Sequence, residues 1–215
     1  MKGELLRLLF PPRCAFCNRF LQRGEMEICA RCMGELRFLP PGQVKTPEFV
    51  DRCVGALAYE EKVRTAIHRL KFRGRQSIAK PLGRLLAHQI QTQLDEVFDF
   101  VTWVPTSAHN LRERGYDHAQ LIAGQVARYL EIPLVQALKR SRQTQPMYGL
   151  NPAERRANVF DAFSIVKTAS VLDARVLIVD DILTTGATFS ECARTLREAG
   201  AEQVCAAAAA VAKKT

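Results

Sequence analysis

Val176-Leu177-Ile178-Val179-Asp180-Asp181-Ile182-Leu183-Thr184-Thr185-Gly186-Ala187-Thr188 is the stretch that decides the fold. Its four leading apolar residues read as a buried parallel strand. Asp180 and Asp181 fall where that strand is expected to end. A small hydroxyl-rich turn follows, and then a helix over about 189–199 that stops at Gly200. A strand, turn and helix in this order place a ligand at the carboxyl edge of an open sheet. The turn offers backbone N–H groups and threonine hydroxyls at a helix N-terminus, a setting for an anion. Carboxylates beside such a cradle suit a sugar phosphate. Asp180 and Asp181, the candidate catalytic pair, would then hold ribose hydroxyls, while Thr184, Thr185, Gly186, Ala187 and Thr188 wrap the 5′-phosphate. Taken singly, each residue has a plainer reading: the acids close a strand end and Thr188 is an N-cap. Their combination at this spacing favours the ligand site. No Gly-x-x-x-x-Gly-Lys is present, which excludes a Walker A loop.

The signature resembles that of type I phosphoribosyltransferases, which bind phosphoribosyl pyrophosphate (PRPP). It predicts an α/β fold with an open, mostly parallel sheet.

The chain has 215 residues, and its apolar content of 47% suffices for one substantial core with a small appendage. The formal net charge of +9 points to an anionic partner: a polyphosphate sugar, a nucleic acid or a membrane surface. No stretch approaches the ~20 apolar residues of a membrane span. The N-terminal leucines are interrupted by Glu4 and Arg7 and ended by Pro11-Pro12. They read as a short amphipathic turn or helix rather than a signal peptide, so a cytoplasmic location is expected.

Four of the seven cysteines have metal-site spacing: Cys14-x2-Cys17, eleven residues, then Cys29-x2-Cys32. Each Cys-x-x-Cys places two thiolates on one metal, and two such knuckles complete a tetrahedron. A redox pair or chance is the alternative; the doubled pair without a thioredoxin-like strand pattern favours zinc. With no spare ligand position the zinc is structural, and it would stand in for a core that so short a segment cannot build. Cys192 and Cys205 read as small buried residues, and nothing near Cys53 activates a thiol.

Along the chain, 1–40 is the zinc-binding knuckle and 41–50 a linker marked by Pro40, Pro41, Gly42 and Pro47. Residues 51–215 form one α/β domain. Strands are expected over 54–59, 100–104, 134–138, 159–165, 176–179 and 204–211, although the alanines of the last also suit a helix. Helices are expected over 61–70, 77–93 and 119–130, with 139–157 irregular and basic. From Lys62 to Leu94 there is no acid, while Lys62, Arg64, Arg69, Lys71, Arg73, Arg75, Lys80 and Arg84 are basic. A second acid-free run, Ile132 to Ala153, carries Lys139, Arg140 and Arg142. Such runs are either solvated faces or anion-binding ones.

The whole set of segments resembles the ComF family of phosphoribosyltransferase-like proteins. The resemblance rests on the paired Cys-x-x-Cys, Tyr59, Leu70-Lys71-Phe72-Arg73-Gly74, Val104-Pro105 and Leu111-Arg112-Glu113-Arg114-Gly115-Tyr116. It continues through Gly149-Leu150, Arg155-Arg156-Ala157-Asn158-Val159, Ala162-Phe163 and the PRPP signature. Asp117-His118 stands where Asn-Gln is common, and Met147 where a glutamine often precedes Gly-Leu. The family is associated with natural competence, the handling of incoming single-stranded DNA and, in some bacteria, gluconate utilisation. The resemblance therefore implies PRPP and, as further partners, single-stranded DNA and competence proteins. It also implies Mg²⁺ on the leaving diphosphate, where bond breaking at ribose C1 has oxocarbenium character.

Such chemistry needs a pyrophosphate site, assigned to Pro105, Thr106 and Ser107 with Arg112 or Arg114 nearby. Lys71 and Arg73 are further candidates for the diphosphate. A mobile basic loop that excludes water is assigned to 139–150. The plainer reading of Arg112 and Arg114 is a surface helix start. His109 and His118 lie near the expected site, but a lone histidine is more often structural or solvated. No segment recognises a particular base, and no general base stands out. Two functions stay open. One is an enzyme that transfers or hydrolyses the phosphoribosyl group, and the other is a PRPP-binding, DNA-handling adaptor without turnover.

Overall fold

The computed structural model describes residues 11–142 and 151–212. The N-terminal leucines, Met147 and Gly149-Leu150 lie outside the described residues, as does most of the basic segment 139–150. A central sheet is built from β1 (Arg52–Ala58), β2 (Phe100–Trp103), β5 (Arg175–Leu183) and β6 (Gln203–Val211), all parallel, in the order β1-β6-β5-β2. β3 (Leu138–Arg140) and β4 (Phe163–Ile165) pair antiparallel as a separate ribbon. The helices are α1 (Ala30–Glu35), α2 (Glu61–Phe72), α3 (Ala79–Gln93), α4 (Ala108–Arg114), α5 (His118–Leu130), α6 (Pro152–Val159) and α7 (Ala187–Glu198). This is the open parallel α/β architecture of the phosphoribosyltransferase kind, with a four-cysteine knuckle at its N-terminal end.

The pleat divides the apolar residues between two cores, because successive side chains on a strand face opposite ways. Leu177 and Val179 of β5 join Cys205, Ala207 and Ala209 of β6 against α2, α3 and α5. Val176 and Ile178 join Val204, Ala206 and Ala208 against α7 and the β3–β4 ribbon. The apolar stripe of α2, Val63, Ala66, Ile67 and Leu70, has the spacing of a helix face turned to a core. The knuckle shares the first of these cores through Phe16, Ile28 and Leu36. Arg69 pins it further by donating to the carbonyls of Ala15 (2.8 Å) and Phe16 (2.5 Å).

Several sequence expectations change. The motif strand does not stop at Val179; it runs on through both acids to Leu183. α7 starts at Ala187 rather than at 189, because Gly186 takes the left-handed conformation (φ +84°) that turns the chain into the helix. The alanine-rich segment is a strand, since it lies in the middle of the sheet with both faces covered. The strand expected over 134–138 reduces to one parallel bridge, Leu134 to Val101, before the chain leaves for β3. The span 139–157 is not all irregular: β3 takes up Lys139 and Arg140, and α6 begins at Pro152. A capping box explains α6, in which Asn151 accepts from the Glu154 N–H and Glu154 accepts from the Asn151 N–H. That helix also takes Val159 out of the strand expected over 159–165.

The basic run from Lys62 to Leu94 is largely a docking face. Lys62 pairs with Glu35, and Lys80 and Arg84 pair with Glu27, both acids lying in the knuckle. Arg73 and Arg75 make no side-chain ion pair among the described residues.

Helices α3 and α5 cross at Gly83, where a Cβ would sit 2.4 Å from Cβ of Gln125 and 2.9 Å from the carbonyl oxygen of Ile122. Alanine normally gains about 1 kcal/mol over glycine inside a helix. Here the sign reverses, because helix backbone must move to admit the methyl group. Gly83→Ala should therefore destabilise by about 1–3 kcal/mol, read as a lower midpoint in denaturant with unchanged slope.

Candidate functional site

At the carboxyl end of the sheet a cavity of about 700 Å³ opens between the signature turn, the segment after β2 and the end of α2. The pleat governs its chemistry. Asp181 shares the face of Leu177 and Val179 and is buried at 3% exposure. Two nitrogens face it there: Lys71 Nζ lies 2.6 Å and His118 Nε2 3.2 Å from its Oδ2. Burial alone would raise the Asp181 carboxyl, but the charge of Lys71 and the donor from His118 hold it well below the usual carboxylate range. Burial acts against Lys71 too, and the two carboxylates raise it. Asp180 falls on the other face, partly open to the cavity, with its Oδ1 accepting from the Asp181 N–H at 2.8 Å. Burial and the adjacent Asp181 push Asp180 up to about 7. At neutral pH the pair thus holds one secure negative charge and one proton-sensitive group.

The turn that follows leads into the N-terminus of α7. Gly186 is the N-cap of α7 and makes no side-chain cap bond, and the Ala187 N–H of the first turn donates to Thr185 Oγ1 at 3.5 Å. A Cβ on Gly186 would lie 2.9 Å from Cγ of Pro47, so the segment 41–50 packs directly behind the turn. Thr184 accepts a hydrogen bond from Arg155 of α6 at 3.4 Å. Thr184, Thr185, Gly186, Ala187 and Thr188 all line the cavity.

Of the other candidates that the sequence suggests, Pro105, Thr106, Ser107, Arg114 and Lys71 also line it. Arg112 and Arg73 are exposed and lie outside the lining. Arg112 and Arg114 sit in the last turn of α4, not at a helix start. Arg114 lies over the ring of Phe72 at 4.7 Å. The Thr106 N–H is already taken: it donates to Asp117 Oδ2 at 2.9 Å, while Asp117 Oδ1 caps α5 at Ala119 and Gln120. Ser107 likewise caps α4 at Asn110.

Three contributors are not apparent from the sequence. His118 reads there as a lone histidine. Arg140, placed in the basic run, lines the cavity from the end of β3 and lies over Phe163 at 5.2 Å; burial lowers its guanidinium pKa. Asp117 ties α5 to the segment after β2. The available signal is Asp117 as an N-cap directly before a helical apolar pattern, which fixes the ring of His118 in the first turn.

At the other end, the sulfurs of Cys14, Cys17, Cys29 and Cys32 lie within 4.8 Å of one another. Cys17 and Cys29 are 3.7 Å apart. A tetrahedron with Zn–S arms of ~2.3 Å has edges of roughly 3.8 Å, so the quartet fits zinc. Backbone N–H groups of Cys29 and Cys32 point at Cys14 Sγ and Cys29 Sγ, both at 3.4 Å, and orient the ligands. Burial raises Cys29, but Arg19 and the Cys32 N–H outweigh it and bring the thiol down to about 6. Burial drives Cys32 upward. No ligand position is left open, so this centre is structural. Among the described residues, no helix is long and apolar enough to cross a membrane.

Fold and site together define a phosphoribosyltransferase-type protein carrying a zinc ribbon. Family models agree: a phosphoribosyl transferase domain matches 118–215 and a double zinc ribbon domain matches 5–44. Competence protein F of Haemophilus influenzae is 30% identical over 205 residues, covering 89% of this chain and 86% of the relative. The DNA utilization protein YhgH of Escherichia coli K12 is 30% identical over 199 residues, covering 89% of this chain and 86% of the relative. The chain belongs to the ComF family. Among solved structures, the glutamine PRPP amidotransferase from B. subtilis, complexed with ADP and GMP, matches 62% of this chain and 26% of its own length. Its identity is 27% and its TM-score 0.44, too low to carry an argument.

Chelation should release about one zinc per chain, and Cys29→Ser should prevent its uptake. Loss of the metal should free the segment around 14–32 for proteolysis while the sheet persists. A purified chain without metal and with four reactive thiols would contradict the centre.

Proposed function

We propose that this chain binds PRPP at the carboxyl edge of its sheet and acts in the handling of DNA during natural transformation. The observation that carries the reading is the convergence of Asp180 and Asp181 with the turn Thr184–Thr188 around one cavity. Asp180, open to that cavity, takes a ribose hydroxyl, and Asp181 supports it with the fixed charge behind. The turn and the α7 N-terminus take the 5′-phosphate. The diphosphate lies toward Ser107, Arg114, Lys71 and Arg140, where positive charge gathers. The names of the relatives, competence protein F and DNA utilization protein, support the cellular role.

Mg²⁺ is part of this reading. His118, Asp180 and Asp181 offer ligand atoms within 4.8 Å of one another, yet Lys71 already occupies Asp181 Oδ2 at 2.6 Å. Asp180, partly open to the cavity, would therefore be the carboxylate that holds the ion, which when bound would supply positive charge against the diphosphate. The protein's own part is to bind and orient the sugar and to gather cations at the leaving group.

A second reading makes the chain an active phosphoribosyltransferase or PRPP hydrolase with no DNA role. The cations around the diphosphate position favour it, because that is where negative charge grows as the C1 bond breaks.

Calorimetric titration with Mg²⁺–PRPP should show binding by the wild type and its loss in Asp180→Ala/Asp181→Ala, with the fold retained. Unchanged affinity in the double variant overturns the site. Pyrophosphate released from the same samples would select the enzymatic reading. For the DNA role, affinity for a single strand should fall with salt and with charge reversal at Arg73 and Arg75. A flat salt response would leave that charge without a nucleic-acid role.

A further inference from the structure

We propose that His118 is a positioning residue: a neutral ring, protonated on Nε2, that links Arg114 on the diphosphate side of the cavity to Asp181 on the ribose side. The inference rests on the PRPP reading above and adds a residue to it.

Geometry fixes the tautomer. Nε2 faces the Asp181 carboxylate at 3.2 Å, and Nδ1 faces the Arg114 guanidinium at 3.5 Å. A bare Nε2 would set a lone pair against a carboxylate. A protonated Nδ1 would set N–H against N–H of a cation. Only the neutral ring with hydrogen on Nε2 satisfies both sides. The ring is 8% exposed, and the Asp117 cap holds it in the first turn of α5.

His118 also closes a circuit of contacts. Asp181 holds Lys71; the next residue, Phe72, presents its face to Arg114; Arg114 donates to His118; and His118 turns Nε2 to Asp181 Oδ2 at 3.2 Å. Three helices and one strand thereby set a cation and a carboxylate at a fixed separation. A residue in this place must donate on one end and accept on the other. A glutamine side chain can do both through its amide, and leucine can do neither. This separates the proposal from a plain packing role, in which leucine, similar in bulk, would serve as well as glutamine.

The test uses the full-length zinc-loaded chain. Mg²⁺–PRPP affinity is measured for the wild type, His118→Gln, His118→Leu, Arg114→Ala and the His118→Leu/Arg114→Ala double variant. Thermal midpoints identify variants that fail to fold. Histidine ¹⁵N spectra of the wild type report which ring nitrogen carries hydrogen. His118→Gln should stay close to wild type. His118→Leu should lose affinity about tenfold or more, the scale of a hydrogen bond to a charged group. The double variant should lose less than the product of the two single losses, because both break one circuit. A folded His118→Leu that binds as well as wild type, strict additivity, or hydrogen on Nδ1 would each overturn the proposal. If the wild type binds no PRPP, the proposed function fails, and the ¹⁵N tautomer, measured in the wild type and in Arg114→Ala, still decides the circuit on its own. If His118→Leu does not fold, His118→Gln and the spectra carry the decision.

Discussion

A carboxylate buried at the end of a parallel sheet must be matched by positive charge and donors, or it will not stay ionised. Asp181 is in that position, and much of the site follows from it. α2 has to end where Lys71 reaches the carboxylate, and α5 has to begin where His118 does. The Tyr116 hydroxyl donates to the carbonyl of Leu70, so the two helices are also fastened to each other beside the acid. Asp117 then secures the segment after β2 through the Thr106 N–H. Asp180, one residue away and on the opposite face, is left open because the pleat turns it from those donors. Adjacent residues of the same type therefore have different surroundings and opposite shifts in acidity.

The parts of this architecture that rest on local rules are legible in the sequence. The apolar run before the acids, the turn, the helix stripes and the cysteine spacing each announce themselves within a few residues. Contacts between distant segments are not legible. Nothing near Lys71 in sequence marks it as the partner of Asp181, although its place in the Leu70–Gly74 segment suggests a site role. His118 looks like any lone histidine until the fold brings Arg114 and Asp181 to its two nitrogens. The long acid-free run reads equally as a solvated face or as a surface for an outside anion. Its counter-ions for Lys62, Lys80 and Arg84 are Glu35 and Glu27, which lie earlier in the chain on the knuckle. The failure at α6 is of another kind: Asn151, Pro152 and Glu154 spell a helix start, and the surrounding basic residues obscure it.

The knuckle is more than an appendage. Its own apolar residues are few, and zinc would supply the cross-linking that a larger core gives elsewhere. Yet Phe16 and Ile28 pack into the main core, and Arg69 ties two knuckle carbonyls to α2. The segment that leaves the knuckle then passes behind the signature turn, with Pro47 against Gly186. Metal centre and ligand cavity are thus joined by packed backbone at two places, the end of α2 and the segment 41–50.

Ala206 to Ala210 run through the middle of the sheet, and each is fully buried. A strand of methyl groups makes the sheet a thin partition, with helices drawn close on both sides. Side-chain size in β6 then acts as a spacer. Ala208 stands in register with Asp180, and Ala210 with Ile182. Any larger residue there would wedge the layers apart at the level of the acid pair. The smallness of these side chains keeps the layers close behind the acid pair, although none of them lines the cavity.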